Sequence, residues 1–80
     1  MFQYVYVLQS EAAPERHYIG MTSDLAQRLA AHNSGKVSHT SKFKPWTIET
    51  EVAFRDQTKA VAPERYLKSG SGREFARRHF

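Results

Sequence analysis

The sequence predicts an α+β fold: a small three-stranded antiparallel sheet flanked by helices, in the order β-β-α-β-α-α. Three segments have the alternation or the aromatic and β-branched content of strands. Three others have helical spacing of apolar residues or residues that cap helices. The connections between them are short, which favours antiparallel neighbours. With 80 residues, the chain is predicted to form a single domain, residues 1–80.

The first two strands are predicted to form a hairpin. Phe2 to Gln9 is rich in aromatic and β-branched residues and is apolar on both faces, so we expect it at the centre of the sheet. His17 to Met21 is the second strand, and pairing with the first is the simplest arrangement. In a matching register, Tyr6 and Tyr18 share one face of this hairpin.

The first helix is predicted to begin after Thr22-Ser23-Asp24, because these residues supply N-cap chemistry. It runs to about Asn33, and Gly35 suits its C-terminal stop. A basic loop rich in serine and threonine follows over residues 35–45.

The third strand is predicted over Trp46 to Phe54, where apolar and polar side chains alternate as they do in a half-buried strand. Strict alternation places five residues on one face: Trp46, Ile48, Thr50, Val52 and Phe54.

Two helices are predicted to complete the chain. Lys59 to Ser69 has a helical composition and is stopped by Gly70. Ser71 and Glu74 have the spacing of a capping box, which predicts a short last helix that ends near His79.

The composition narrows the class of protein. The sequence contains no cysteine, which excludes disulfides, thiolate metal sites and cysteine nucleophiles. The N-terminal residues lack the basic start and apolar run of a signal peptide. No window approaches the ~20 apolar residues that a membrane span needs. We therefore expect a cytoplasmic protein with no membrane attachment.

The formal net charge is +4, and the excess positive charge is concentrated in residues 35–44 and 57–80. A polyanionic partner such as nucleic acid is one explanation, and a solvated surface is the other; charge alone favours neither. The basic residues that would contact nucleic acid are Lys36, Lys42, Lys44, Lys68, Arg73, Arg77 and Arg78.

Arg28 and His32 lie one turn apart on the first helix, beside the apolar stripe that Leu25 and Leu29 define. The two side chains could form one wall of a cleft over the sheet. The plainer alternative, which the spacing alone favours, is an arginine whose stem lies along the edge of the core and a partly buried histidine.

Two further sets of residues have both a chemical and a structural interpretation. Hydroxyl groups of Tyr6 and Tyr18 that converge near Arg28 would form a polar pocket, although strands also favour tyrosine for packing alone. Glu64 could hold a hard divalent cation, or it could form a surface ion pair with Lys68, four residues later.

Several short motifs follow one another along nearly the whole chain: Tyr4-Val5-Tyr6, Tyr18-Ile19-Gly20, Arg28-Leu29, His32-Asn33, Pro45-Trp46, Glu64-Arg65-Tyr66 and Gly72-Arg73-Glu74-Phe75. Each tripeptide alone is a weak signal, but the ordered set is specific. The set resembles the GIY-YIG nuclease family. It is most similar to the small single-domain members related to the N-terminal catalytic domain of an excinuclease.

The resemblance implies hydrolysis of a DNA phosphodiester with one divalent cation, Mg²⁺ or Mn²⁺. Glu64 matches the metal-binding glutamate, and Arg28 matches the arginine that contacts the phosphate. Tyr6 and Tyr18 match the two motif tyrosines, one of which is proposed as the general base, and His32 matches an auxiliary residue in proton transfer. Because tyrosine is a poor base at neutral pH, this role requires Arg28 and the metal to lower the pKa of that tyrosine.

Three residues depart from the family pattern. Tyr4 stands at the glycine of the first motif, and Met21 stands where the excinuclease group often has lysine, which removes one phosphate contact. Pro63 precedes Glu64, so either the helix begins late, with Pro63 in its first turn, or it kinks at the metal ligand.

The sequence therefore predicts a DNA endonuclease of repair or processing with weak sequence preference. The sequence does not distinguish between single-stranded, branched and duplex DNA as the substrate. The alternative is a nucleic-acid-binding module with little or no catalysis, and a protein-binding adaptor fits the charge distribution less well. A partner protein or a homodimer also stays open, because a chain of 80 residues offers little surface for productive binding.

Overall fold

The computed structural model describes residues 2–80 and confirms the predicted order of elements. Two short 3₁₀ turns, Ser41–Phe43 and Gln57–Ala60, precede the third strand and the second helix. No helix within the described residues is long and apolar enough to cross a bilayer. The elements are β1 (Gln3–Ser10), β2 (His17–Thr22), α1 (Leu25–Asn33), β3 (Trp46–Phe54), α2 (Val61–Lys68) and α3 (Gly70–His79).

The three strands form one antiparallel sheet in the order β2-β1-β3, so β1 is central, as predicted. Tyr6 lies opposite Gly20, and Leu8 lies opposite Tyr18. Paired residues of an antiparallel ladder point to the same face, so this register confirms that Tyr6 and Tyr18 share a face.

The prediction of one shared face along β3 is wrong, because the register between β1 and β3 shifts between Val7 and Leu8. Val7 lies opposite Thr50, but Leu8 lies opposite Ile48, which leaves Glu49 as an extra residue. Such a β-bulge exchanges the two faces of the strand beyond it. Ile48 therefore joins the face of Leu8, whereas Thr50 and the later alternate residues point to the opposite face.

The sheet separates two apolar clusters that stabilise the fold. On the first face, Tyr6, Leu8 and Trp46 are buried and pack against Leu25 and Leu29 of α1. Burial of each large side chain contributes about 1.5–3 kcal/mol to folding. On the second face, α2 and α3 cover another cluster, which contains Val5, Ala60 and Leu67 with Ile19, Met21, Phe54 and Ala76 packed against it.

The predicted ends of α1 are confirmed. Asp24 is the N-cap, and its carboxylate accepts a hydrogen bond of 3.1 Å from the backbone N–H of Gln27. Gly35 has a φ of 82°, a conformation that glycine adopts without strain and that ends the helix. These two ends fix the turn of α1 that carries Arg28 and His32.

The second helix begins at Val61, later than the predicted Lys59, which lies in the preceding 3₁₀ turn. Pro63 is therefore in the first turn of α2, where its missing N–H costs no helical hydrogen bond. Of the two alternatives for Pro63, the late start is the one that the structure shows, so Glu64 lies in the first turn of α2.

The predicted capping box at Ser71 and Glu74 is wrong. Ser69 is the N-cap of α3, and its hydroxyl accepts a hydrogen bond of 3.1 Å from Gly72 N–H. Ser69 also ends α2, since its hydroxyl donates to the carbonyl oxygen of Tyr66 over 2.6 Å. One residue thus closes one helix and opens the next, while Glu74 forms an exposed ion pair with Arg77 at 2.6 Å.

Candidate active site

Tyr6 is the centre of the candidate site and is only 1% exposed. It extends from β1 across Gly20 of the neighbouring strand. A Cβ atom on residue 20 would lie 2.6 Å from Cζ of Tyr6 and overlap its hydroxyl oxygen. The glycine of the second motif is therefore needed because the phenol of Tyr6 occupies the space that a side chain would fill.

Arg28 and His32 of α1 both reach the hydroxyl of Tyr6. The Nε–H of Arg28 donates to it over 3.3 Å, and Nε2 of His32 hydrogen-bonds to it over 3.1 Å. His32 is fully buried, which matches one part of the plainer interpretation, a buried histidine with its hydrogen bonds satisfied. The structure adds a direct contact of both helical residues with a motif tyrosine.

Tyr18 completes this group on the adjacent strand. The centroid of its ring lies 4.9 Å from that of His32 and 6.5 Å from that of Tyr6. Tyr18 is half-buried, so it is more accessible than Tyr6. Four of the five predicted catalytic residues are thus brought together: Tyr6, Tyr18, Arg28 and His32.

Burial is the largest influence on the pKa values of Tyr6 and His32. The pKa of Tyr6 is raised because desolvation by burial outweighs the opposing effect of Arg28, so Arg28 alone does not lower the pKa of this tyrosine. The pKa of His32 is lowered, first by burial and then by the charge of Arg28, so its imidazole is neutral at pH 7. The hydrogen bond to Tyr6 raises the pKa of Arg28, and Tyr18 adds a smaller effect.

The lowered pKa of His32 predicts a pH dependence of stability. The unfolded chain binds a proton at His32 near its ordinary pKa of about 6.5, whereas the folded chain does so only at lower pH. The free energy of unfolding should therefore decline as the pH falls below about 6.5. Urea denaturation at pH 7.5 and 5.5 should show a smaller decline in His32→Gln than in the parent, with the exposed His39→Gln as control. Equal declines in all three proteins would contradict this assignment.

Sequence reasoning missed Thr40, which lies in the basic loop but is only 1% exposed. Its Oγ1 lies 2.8 Å from Nδ1 of His32, and its carbonyl oxygen accepts a hydrogen bond of 2.9 Å from the indole N–H of Trp46. Asn33 holds the same region, since its side-chain NH₂ group donates to the carbonyl oxygen of Trp46 over 3.0 Å. These contacts join residues far apart in sequence, so no local pattern marks them.

Glu64, the fifth predicted catalytic residue, forms the ion pair with Lys68 at 2.6 Å that its spacing indicated. The Glu64 side chain is 12% exposed. Lys68 connects α2 with the tyrosines, because its charge has a small lowering effect on the pKa of Tyr6 and it lines a groove with Tyr18. Within residues 2–80, no group of three His, Asp or Glu side chains could hold a metal ion.

The predicted nucleic-acid-binding residues fall into separate sets. Lys68, Arg73 and Arg77 line one groove of about 900 Å³ with Tyr18. Arg16 adds a further positive charge there, and Glu15 and Glu49 add two negative charges, so the groove stays net positive. The three lysines of the loop, Lys36, Lys42 and Lys44, are exposed but do not line this groove. Arg78 lies outside it as well and faces Glu74 at 3.6 Å.

A polar cluster built on a tyrosine-bearing hairpin and the helix that follows it defines the structural class, a small α+β domain with its site over one face of the sheet. The chain belongs to the GIY-YIG family, since its sequence matches the GIY-YIG catalytic domain over residues 2–78.

The chain is also similar to several known proteins. UPF0213 proteins of Streptococcus pneumoniae and Lactococcus lactis are each 38% identical to this chain over 66 residues, which are 81% of this chain and 65% of theirs. The chain thus spans 65% of the length of these curated relatives. A solution structure of a UPF0213 protein from Bacillus halodurans is 29% identical, with a TM-score of 0.57 over 96% of this chain and 81% of that one.

Proposed function

We propose that the chain is a divalent-metal-dependent endonuclease that hydrolyses DNA phosphodiester bonds in DNA repair or processing. The observation that carries this proposal is the cluster of Arg28, Tyr6, Tyr18 and His32 within a domain of the GIY-YIG family. Family membership supports nuclease chemistry in general. The metal, the substrate and the role of each residue are our inferences from the site.

Arg28 is proposed to bind the scissile phosphate. Its Nε–H donates to Tyr6, and the guanidinium also interacts with Tyr18, but Arg28 is partly exposed, so its remaining N–H donors can face a phosphate. Hydrolysis adds negative charge to the phosphoryl oxygens, and a guanidinium held in place stabilises that charge most where it develops. Tyr6 supplies the fixed position by accepting from Nε–H.

Tyr18 is proposed as the general base. The hydroxyl of Tyr6 is already engaged by Arg28 and His32 in the interior, whereas Tyr18 is half-buried and lines the basic groove. Of the two motif tyrosines, Tyr18 is therefore the one that can meet a water molecule next to a bound phosphate. After Tyr18 has released its own proton to solvent, its phenolate oxygen would accept the proton that the attacking water loses and so return to the phenol.

Glu64 is proposed to hold one Mg²⁺ or Mn²⁺ ion. A single carboxylate fits such a hard cation only if water and the phosphate supply the other ligands, an arrangement common for Mg²⁺. The contact with Lys68 would have to open for this to occur. When bound, the metal would act as a Lewis acid that stabilises the departing oxygen.

The groove beside Tyr18 is proposed to bind the DNA backbone through Lys68, Arg73 and Arg77. Contacts to phosphates position a nucleic acid without reading its sequence, so weak sequence preference should follow. Within this set, Glu74 neutralises part of the charge of Arg77 and Glu64 part of the charge of Lys68, each at 2.6 Å, which leaves Arg73 as the strongest phosphate ligand of the three.

The test is a cleavage assay on single-stranded, flapped, branched and duplex DNA with and without Mg²⁺ or Mn²⁺. A bound metal ion stabilises the transition state by several kcal/mol. If Glu64→Gln removes the metal ligand, the cleavage rate should fall at least about 100-fold. Glu74→Gln is the matched control, because it removes another helical glutamate that pairs with a basic residue. Equal cleavage by both variants, or cleavage that needs no metal, would contradict the assignment of Glu64.

The second candidate function is nucleic-acid binding without catalysis. The ion pair between Glu64 and Lys68 favours this alternative, since a paired carboxylate is less available to a metal. A binding module would leave every DNA substrate intact, and its affinity would fall steeply with salt concentration. The same panel of substrates, measured for binding at several salt concentrations, separates the two functions.

A further inference from the structure

The buried hydrogen bonds of the site form one chain from Arg28 to the basic loop. Nε of Arg28 lies 3.3 Å from the Tyr6 oxygen, which lies 3.1 Å from Nε2 of His32. Nδ1 of His32 lies 2.8 Å from Oγ1 of Thr40, and Thr40 donates to the carbonyl oxygen of Val37 over 3.2 Å. The phenol, the neutral imidazole and the threonine hydroxyl each carry one polar hydrogen, so the direction of each bond constrains the next.

If the hydrogen bonds of this series run in one direction, each of their protons has an acceptor. Thr40 gives its hydroxyl proton to Val37, so its oxygen is free to accept the Nδ1–H of His32. Nε2 of His32 then carries a lone pair and accepts the phenol proton of Tyr6. The phenol oxygen in turn accepts from Arg28, whose Nε can only donate.

The opposite direction leaves a proton without an acceptor. If Thr40 donated to Nδ1, the imidazole would carry its proton on Nε2 and donate it to Tyr6. Tyr6 would then receive two donated hydrogen bonds, and no residue within 2–80 offers an acceptor for its own proton. A buried donor without a partner is strongly unfavourable, and none occurs among the described side chains.

We propose that Thr40 is a positioning residue that selects the Nδ1–H tautomer of His32 and thereby orients the Tyr6 hydroxyl to hold Arg28. The inferred tautomer stands on hydrogen-bond geometry alone, and its consequence for cleavage rests on the proposed function. Thr40 does not contact the phosphate in this scheme. It acts through His32 and Tyr6 on the direction of the Arg28 guanidinium.

The loop holds Thr40 firmly enough for this role. Its side chain is 1% exposed, and its carbonyl oxygen accepts from the indole N–H of Trp46 and from the backbone N–H of Phe43. The basic loop would therefore contribute more than its lysines to the site, because it places the hydroxyl oxygen of Thr40 next to Nδ1 of His32.

The experiment is a long-range ¹H–¹⁵N NMR spectrum of the His32 ring at neutral pH, recorded without DNA or metal. The parent should show a protonated Nδ1 and an unprotonated Nε2. An ordinary hydrogen bond corresponds to about a tenfold bias, so Thr40→Val, which keeps the shape but removes the oxygen, should lower the ratio of Nδ1–H to Nε2–H about tenfold. Thr40→Ser should restore the parent ratio.

Ser41→Ala is the matched control, because Ser41 also donates to the carbonyl oxygen three residues earlier but does not contact His32. A parent spectrum dominated by the Nε2–H tautomer would overturn the proposal even if Thr40→Val fails to fold. An unchanged ratio in folded Thr40→Val would overturn it as well.

Cleavage measurements separate this proposal from the proposed function. We expect kcat to fall about tenfold in Thr40→Val and to return in Thr40→Ser, in step with the tautomer ratio. If no protein in the series cleaves DNA, the nuclease proposal fails while the tautomer assignment still stands or falls on the spectra. If the ratio shifts but kcat does not, Thr40 is not a positioning residue for catalysis.

Discussion

Tyr18→Phe should lower kcat by about 10²–10⁴-fold, the usual contribution of a general base, without a measurable change in thermal stability. We expect kcat to change without a change in thermal stability because of where the Tyr18 hydroxyl lies. Tyr18 is half-buried and takes no part in the buried hydrogen bonds from Arg28 to Thr40. Its ring, which packs 4.9 Å from the His32 ring, is kept in phenylalanine.

Cleavage rates and melting curves of Tyr18→Phe, Tyr6→Phe and Tyr66→Phe provide the measurement. Tyr6→Phe should lower both activity and stability, since it removes a hydroxyl that Arg28 and His32 share. Tyr66 is 48% exposed on α2, so Tyr66→Phe is the control and should change neither. If Tyr18→Phe cleaves DNA as fast as the parent, Tyr18 is not the base, and the proton must leave through another group.

Gly20→Ala should reduce activity about 100-fold, because a displacement of roughly 1 Å at a positioning residue can have that effect. The added methyl group would meet the Tyr6 phenol, with its Cβ 2.6 Å from Cζ and 3.1 Å from Cε1. The ring is rigid and buried, so it cannot swing into solvent. Overpacking of this kind also destabilises a core by about 1–3 kcal/mol.

Gly70→Ala is the matched control for Gly20→Ala. A Cβ atom on Gly70 would meet no heavy atom within 4 Å, so this substitution should leave cleavage unchanged. The measurement is the cleavage rate together with the free energy of unfolding from urea titration. Parent-like values of both quantities in Gly20→Ala would show that Tyr6 does not need its observed position.

Periodicity and turn residues were sufficient to predict most of the fold. The two apolar faces of β1 indicated a central strand, and Asp24 and Gly35 marked the ends of α1. The wrong predictions concern places where tertiary contacts override local patterns. The bulge at Glu49 depends on pairing with β1, and Ser69 rather than Ser71 caps α3 because it also closes α2.

The candidate site was predictable to the extent that its residues follow helical or motif spacing. Arg28 and His32 lie beside an apolar stripe, and the i,i+4 spacing of Glu64 and Lys68 indicated their ion pair. Thr40 could not be found in this way, because only the folded loop brings it to His32. The raised pKa of Tyr6 likewise depends on complete burial, which spacing does not reveal.

The extra residue in β3 also couples the two halves of the molecule. One end of the strand places Trp46 beneath the helix that carries Arg28, and the other end places Phe54 beneath the C-terminal helices. The same strand packs against α1 at one end and against α2 and α3 at the other. Movement of one helical layer should therefore disturb the packing of the other. The sheet face that carries Tyr6 and the face that α2 and α3 cover should consequently unfold together as one cooperative unit.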